Sequence, residues 1–361
     1  MTNYKLLTLL VVCLFSLRPH TSEACTGITL KSRDGSTVVA RTIEWGGSDL
    51  NSRYVIVPRG YVQQSLLPDG KKNGLVFTSQ YGYVGMAVEQ DEIVAEGINE
   101  AGLSAGLFYF PHYGQYETYD PAQKASSVAD IQLVSWILGN FERIEDVQNA
   151  IKKIRVIAVD PRASTVHWRI ADATGRQVVL EFIEGKPRFY ENKLGVLTNS
   201  PDFNWQMVNL NNYVNLSSGT VDTSRLGNIR LATFGAGSGL HGIPGDITPP
   251  SRFVRAAFYQ CSTQQQETPF DAVIQSFHIL NNFDIPIGIE FAPGESVPDI
   301  PSATQWTSAT DINNRIIYYR TMYNSTIRCI DLKTIDFGKV KYQVAPLDAK
   351  KNQSIERIKI K

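Results

Sequence analysis

Histidine is scarce in this chain: five in 361 residues, namely His20, His112, His167, His241 and His278. A serine-type triad needs a histidine within reach of its nucleophile, and none of the five stands in a nucleophile motif, so each reads as a surface or packing residue. No His-x-x-x-His or Cys-x-x-Cys spacing occurs, which argues against a protein-held zinc. The phosphate-cradling P-loop and the dinucleotide fingerprint are missing as well, so neither a metal nor a cofactor is expected. An excess of either charge is also lacking, with 35 basic and 35 acidic residues; nothing points to nucleic acid or an anionic membrane surface. There is no internal repeat, no low-complexity block and no Pro/Gly/Ser linker. No apolar run reaches the roughly 20 residues that a membrane-spanning helix needs.

The start of the chain carries what the rest lacks. Lys5, an apolar run from Leu6 to Leu17, and small residues ending at Ala24 have the three parts of a secretory signal peptide. Ser22 and Ala24 suit a cut before Cys25. Lipoprotein processing would also expose a cysteine there, but Ser22 stands where a leucine-type residue is usual. A cut elsewhere would leave Cys25 an ordinary buried thiol. Removing residues 1–24, and with them Lys5, Arg18 and Glu23, leaves 337 residues with 33 basic against 34 acidic, read as one domain over 25–361 of an exported, periplasmic or secreted protein. Three cysteines then remain, Cys25, Cys261 and Cys329. The last two either pair or serve as small core residues.

Strand-like runs at Gly27–Leu30 and Thr37–Arg41 flank an Asp34-Gly35 turn, and a second hairpin joins 165–171 to 177–183 around Thr174-Gly175. Strand pattern resumes at 188–190 and 195–198. Helical spacing covers 128–138, 144–154 and 269–280, the last opened by Thr268-Pro269. Helices grouped between antiparallel meanders predict an α+β fold rather than a doubly wound parallel one. The charged end from about Asp348 is expected to fray.

With histidine chemistry set aside, Cys25 becomes the candidate nucleophile. A freed α-amine titrates near 7.7 to 8.0 and can act as base toward the thiol of its own residue. The cut would then create the catalyst, and the strand pattern would hold the new terminus in a sheet.

Five further stretches surround this reading: Cys25-Thr26-Gly27, Ala40-Arg41-Thr42-Ile43-Glu44-Trp45, Asn99-Glu100-Ala101-Gly102-Leu103, Leu197-Thr198-Asn199-Ser200-Pro201-Asp202-Phe203, and Gly242-Ile243-Pro244-Gly245-Asp246 leading to Ser251-Arg252-Phe253. In this order they resemble the choloylglycine hydrolase and penicillin V acylase family of N-terminal-nucleophile cysteine hydrolases, with weaker likeness through 283–289 and 315–322. The resemblance implies a four-layer αββα sandwich with two mainly antiparallel sheets, and a linear amide hydrolase that works through a thioester on Cys25.

It also implies a role for each matched residue. Arg41 would favour the thiolate by its charge. Glu44, where the family usually has aspartate, would orient the amine. Asn199 would donate a side-chain N–H to the oxyanion and the backbone of Phe108 a second. Arg252, with Arg255 as a competitor, would support the site electrostatically. Trp45, Met86, Tyr109, Phe110 and Tyr113, with Phe108, are the candidates for an apolar acyl pocket. A small-molecule amide is the expected partner: a glycine- or taurine-conjugated bile salt, with penicillin V and acyl-homoserine lactones as alternatives, and a homotetramer as the implied assembly. A non-catalytic exported binding protein is the competing class, opposed by the retention of Cys25, Arg41, Asn199 and Arg252.

Overall fold

The computed structural model describes residues 23–160 and 164–360; residues 1–22 of the candidate signal segment lie outside the described residues. The first two strands, β1 (Glu23–Lys31) and β2 (Thr37–Trp45), pair antiparallel without a register break from Glu23 opposite Trp45 to Lys31 opposite Thr37. β-branched residues fill them, and Gly35 supplies the positive φ of 89° that the turn requires. Seven strands of the larger sheet follow: β3 (Arg53–Val57), β4 (Tyr83–Ala87), β5 (Val94–Asn99), β6 (Ser104–Tyr109), β7 (Val166–Ala171), β8 (Gln177–Ile183) and β9 (Lys186–Glu191). The two large sheets are completed by β10 (Thr304–Asp311), β11 (Ile316–Thr321), β12 (Asn324–Asp331) and β13 (Gln343–Pro346).

These strands form two antiparallel sheets. One has five strands in the order β1-β2-β10-β11-β12, the other eight in the order β9-β8-β7-β6-β5-β4-β3-β13. Helices α1 (Leu133–Asn140) and α2 (Ile144–Ala150) cover the eight-stranded sheet and share a core with its outer face. After α3 (Phe203–Asn209), helices α4 (Pro249–Ser262) and α5 (Pro269–Leu280) cover β1, β2 and β10. The α+β sandwich expected from the sequence is thus present, because each sheet buries one face on its partner and one on helices.

Local differences from the sequence reading have physical causes. Residues 128–138 do not form one helix: Ser127–Ala129 pairs parallel with Arg155–Ile157, a 3₁₀ turn covers Asp130–Gln132, and α1 starts only at Leu133. A fully buried apolar run suits strand or helix equally, and the free edge of Arg155–Ile157 decided. Residues 195–198 make no strand; Leu197 forms a single bridge to Gly27. By contrast α5 spans 269–280, with the Thr268 hydroxyl accepting from the Asp271 N–H. Cys261 and Cys329 are unpaired and both exposed, so neither is a core residue. The stretch expected to fray from about 348 is held by Asp348 to Arg328, by Lys351 to Asp49 and by Gln353 to Ser325, and 354–360 carries no secondary structure.

Gly27 explains how closely the two sheets approach at β1. A Cβ there would stand 2.9 Å from both the Arg169 guanidinium and the Phe108 ring. Glycine lets β1 lie directly on β6 and β7.

Candidate active site

Cys25 sits on the outer edge of the five-stranded sheet, and that edge is where the site forms. Gly27 exchanges backbone hydrogen bonds with Leu197 (2.7 and 3.1 Å), which fastens β1 to the segment running into Asn199. Two residues earlier the Cys25 N–H, pointing to the same side, donates to Asn199 Oδ1 at 2.9 Å. A side-chain oxygen takes the place of the next ladder carbonyl. In the full-length chain this nitrogen is still an amide joined to Ala24.

Side chains alternate across β1 and β2. Cys25, paired with Ile43, and Gly27, paired with Arg41, face the eight-stranded sheet. On that side Arg41 Nη2 donates to Cys25 Sγ at 2.8 Å. Its other nitrogen reaches the carbonyls of Leu107 (2.5 Å) and Ala95 (3.2 Å) and the Glu96 carboxylate (3.5 Å). The guanidinium lies 4.0 Å from the centre of the Phe108 ring. Glu96 also pairs with the fully buried Arg169 at 3.3 Å, and a side chain at Gly106 would collide with it.

Thr26, Thr42 and Glu44 face α4 instead. Arg252, from the first turns of α4, donates to the Cys25 carbonyl (2.6 Å), the Thr26 hydroxyl (2.8 Å), Asn199 Oδ1 (2.6 Å) and the Ile247 carbonyl (2.9 Å). Arg255 bonds the carbonyls of Pro244 and Asp246, so the competition between the two arginines resolves in space. Asp246 fixes that loop through Thr248 and Ser251 and is held at about 2.

Burial outweighs charge at the thiol. The pKa of Cys25 is raised, chiefly by desolvation, against the lowering pull of Arg41, the Tyr109 N–H and Arg252; Glu44 adds to the rise. Arg41 does pull toward the thiolate, as expected from its charge, but with Ala24 attached the desolvation of the thiol outweighs that pull. Glu44 is pushed up to about 7, first by burial and against Arg252, the Thr42 hydroxyl and Arg41. Neither of its oxygens has a hydrogen bond of normal geometry. Glu44 stands opposite Ala24 across the β1–β2 ladder, on the helix side, whereas the Cys25 N–H leaves the strand at its edge.

Other sequence expectations are corrected here. The Phe110 N–H donates to Thr165 in β7's direction, so by alternation the Phe108 N–H points the same way. The backbone donor turned toward the thiol is that of Tyr109. The Phe108 side chain packs between Arg41 and Arg169. Met86 and Phe110 are sealed in the interior at 1% and 0% exposure and line no open pocket; Phe110 stacks on His167 at 4.4 Å. Tyr109 is part-buried and its side chain leaves on the face opposite Phe108. Trp45 is part-buried at the end of β2, its ring N–H on Ser48, and Tyr113 is exposed. Asn199 spends one Nδ2 hydrogen on the Tyr109 carbonyl at 2.8 Å, which leaves the second for another acceptor.

A family described as linear amide C-N hydrolases, choloylglycine hydrolase family, matches residues 25–349. The chain belongs to that family. Its first matched residue is Cys25. A bile salt hydrolase/transferase of Clostridium perfringens is 33% identical over 325 residues, covering 88% of this chain and 95% of that protein. The same name is carried by a relative from Lactiplantibacillus plantarum, 32% identical over 85% of this chain and 92% of its own. Among solved structures, a variant of conjugated bile acid hydrolase from Clostridium perfringens superimposes with a TM-score of 0.81 at 31% identity, over 93% of this chain and all of that one. Penicillin V acylase from Agrobacterium tumefaciens, at 24% identity and a TM-score of 0.70 over 89% and 90% of the two chains, shares the fold. The protein is therefore a linear amide hydrolase of the choloylglycine hydrolase family.

Sequence reasoning passed over Glu96, Arg169, His167 and Glu181, all buried beside this centre. Charged residues within β-branched runs were the available signal: a strand pattern that buries both faces leaves such groups no solvent.

Proposed function

We propose that this chain is an exported enzyme that hydrolyses the amide of glycine- or taurine-conjugated bile salts, activated by a cut between Ala24 and Cys25. The observation that carries the reading is the double hold on Cys25: Arg41 at its sulfur and Asn199 at its nitrogen. Removing Ala24, which is packed beside Ile285 and Ala303, turns that nitrogen into an amine and opens the space next to the thiol. The amine takes the thiol proton and the sulfur attacks the amide carbonyl. The oxyanion is met by the free Asn199 Nδ2 hydrogen and the Tyr109 N–H. The proton passes to the leaving nitrogen, the amine product departs, and water cleaves the thioester to a carboxylic acid. Arg252 keeps Asn199 and the Cys25 carbonyl in place; Glu44, close to half ionised near neutral pH, balances the arginine rather than touching substrate.

Support for the substrate comes from the names of the bile salt relatives, including conjugated bile acid hydrolases of Lactobacillus gasseri and Lactobacillus acidophilus. A penicillin V acylase of Pectobacterium atrosepticum, 25% identical over 88% of this chain and 82% of its own, keeps penicillin V as the second reading. Assembly as a homotetramer fits the exposed apolar side chains Leu226, Ile229, Leu231 and Phe234 on and after the hairpin Ser224–Leu226 and Ile229–Leu231. The test is a side-by-side assay of conjugated bile salts, penicillin V and long acyl-homoserine lactones, with intact mass of the secreted protein. Turnover of bile salts by a chain beginning at Cys25 is expected. Turnover of penicillin V alone overturns the substrate, and a retained Ala24 or an acylated end overturns the activation.

A further inference from the structure

Behind Asn199 lies a polar pair that the reaction above does not use. His167 on β7 and Glu181 on β8 stand opposite each other in adjacent strands and are 1% and 0% exposed. His167 Nδ1 lies 3.1 Å from Glu181 Oε1, and Nε2 lies 3.1 Å from the Thr198 carbonyl. The same Glu181 oxygen accepts the Phe203 N–H at 2.9 Å. The ring is clamped flat against Phe110 and meets the edge of Phe108. Thr198 and Phe203 are the two ends of the six-residue loop that presents Asn199 to the nucleophile.

We propose that His167 and Glu181 are positioning residues: together they staple both ends of the loop 198–203 and so set the Asn199 amide on Cys25. Hydrogen-bond inventory shows why this pair suits the task. The Thr198 carbonyl can only accept, so the hydrogen at Nε2 must come from the ring. A second hydrogen is needed between Nδ1 and Glu181. The pair therefore keeps two hydrogens for its two ring contacts, and the carboxylate accepts from the loop as well. Between the staples, the Ser200 hydroxyl donates to the Pro111 carbonyl and the Thr198 hydroxyl to the Pro249 carbonyl. Asn199 has no slack of its own: its oxygen serves Cys25 and Arg252 and its nitrogen serves Tyr109. A shift of the loop by about an ångström would misplace the oxyanion donor while leaving Arg41, anchored on the other face, against the sulfur. Glu181 Oε2 has no hydrogen-bond partner among the described residues, so the one oxygen that is engaged, Oε1, carries both loop contacts.

This inference rests on the Cys25 hydrolase reading, and a double-mutant cycle separates the two. Glu181→Gln keeps an acceptor for Phe203, but a neutral amide cannot also supply the hydrogen that Thr198 needs through the ring. Glu181→Ala releases both ends. We expect kcat per titratable thiol to fall about 10-fold for Glu181→Gln and about 100-fold for Glu181→Ala with KM nearly unchanged, and neither change to lower kcat further when made in an Asn199→Ala background. Equal losses in the two backgrounds, or no loss in the parent, overturn the proposal. Should Glu181→Ala fail to fold, Glu181→Gln carries the cycle alone. A readout that needs no substrate is the Asn199 side-chain amide signal in NMR, expected to move in Glu181→Gln; an unmoved signal also overturns the proposal. If the parent enzyme turns over none of the candidate amides, the substrate reading fails while the NMR arm still decides this one.

Discussion

The two faces of β1 around Cys25 hold similar charges and treat them differently. Toward the eight-stranded sheet, Arg41 meets sulfur, carbonyls and Glu96, and Glu96 in turn meets Arg169. Toward α4, Arg252 has four well-placed acceptors, yet Glu44, as deeply buried, has no hydrogen bond of normal geometry. The consequence is chemical. Burial pushes the Glu44 carboxyl up to about 7 against Arg252, the Thr42 hydroxyl and Arg41. Proximity of opposite charge is therefore not sufficient to offset burial at Glu44.

Cys25→Ser tests the thiol face most severely. It should fold, yet lose hydrolysis by at least about 10³-fold, measured as turnover per folded chain, because a hydroxyl is a far poorer nucleophile at neutral pH. Arg252→Met breaks the helix face instead. It strands the Cys25 carbonyl, Asn199 Oδ1 and Glu44 together, and denaturant titration should show a loss of about 3–5 kcal/mol. Asn199→Ala joins the two faces; it should lower kcat by about 10²–10³-fold through the lost oxyanion donor.

Glu44→Gln has the smallest expected effect and sharpens the contrast between the faces. Glu44 titrates at about 7 when folded, above its ordinary 4.5. The folded state therefore binds this proton more tightly than the unfolded one, and stability falls as pH rises through that window. With Ala24 retained, the parent should lose up to about 3 kcal/mol between pH 4.5 and 7 relative to Glu44→Gln, read from denaturation at stepped pH. Parallel stability curves for the two chains would show that Glu44 is bonded after all.

Legibility followed the range of the interactions. The β1–β2 hairpin and α5 were readable because Asp34-Gly35 and Thr268-Pro269 encode their turns locally. Residues 128–138 were misread because a run buried on all sides has no periodicity to separate strand from helix. Cys25, Arg41, Asn199 and Arg252 were picked out by motif. The backbone donor was misassigned by one residue, from Tyr109 to Phe108, since which N–H faces the thiol depends on how β6 pairs with β7. His167 was dismissed as packing because nothing near it in the chain announces Glu181, fourteen positions away, or Thr198.

By itself the sequence determined the family, the α+β layering and the residue types grouped around Cys25, because motifs, turns and strand patterns are short-range. Tertiary structure alone decided which atoms meet: that burial raises the Cys25 thiol pKa, that Arg41 and Glu44 lie on opposite faces of one strand, that Met86 and Phe110 are core, and that Asn199 is pinned between α4 and β6. Those outcomes depend on strand pairing and desolvation, which arise only when segments far apart in the chain exclude water together.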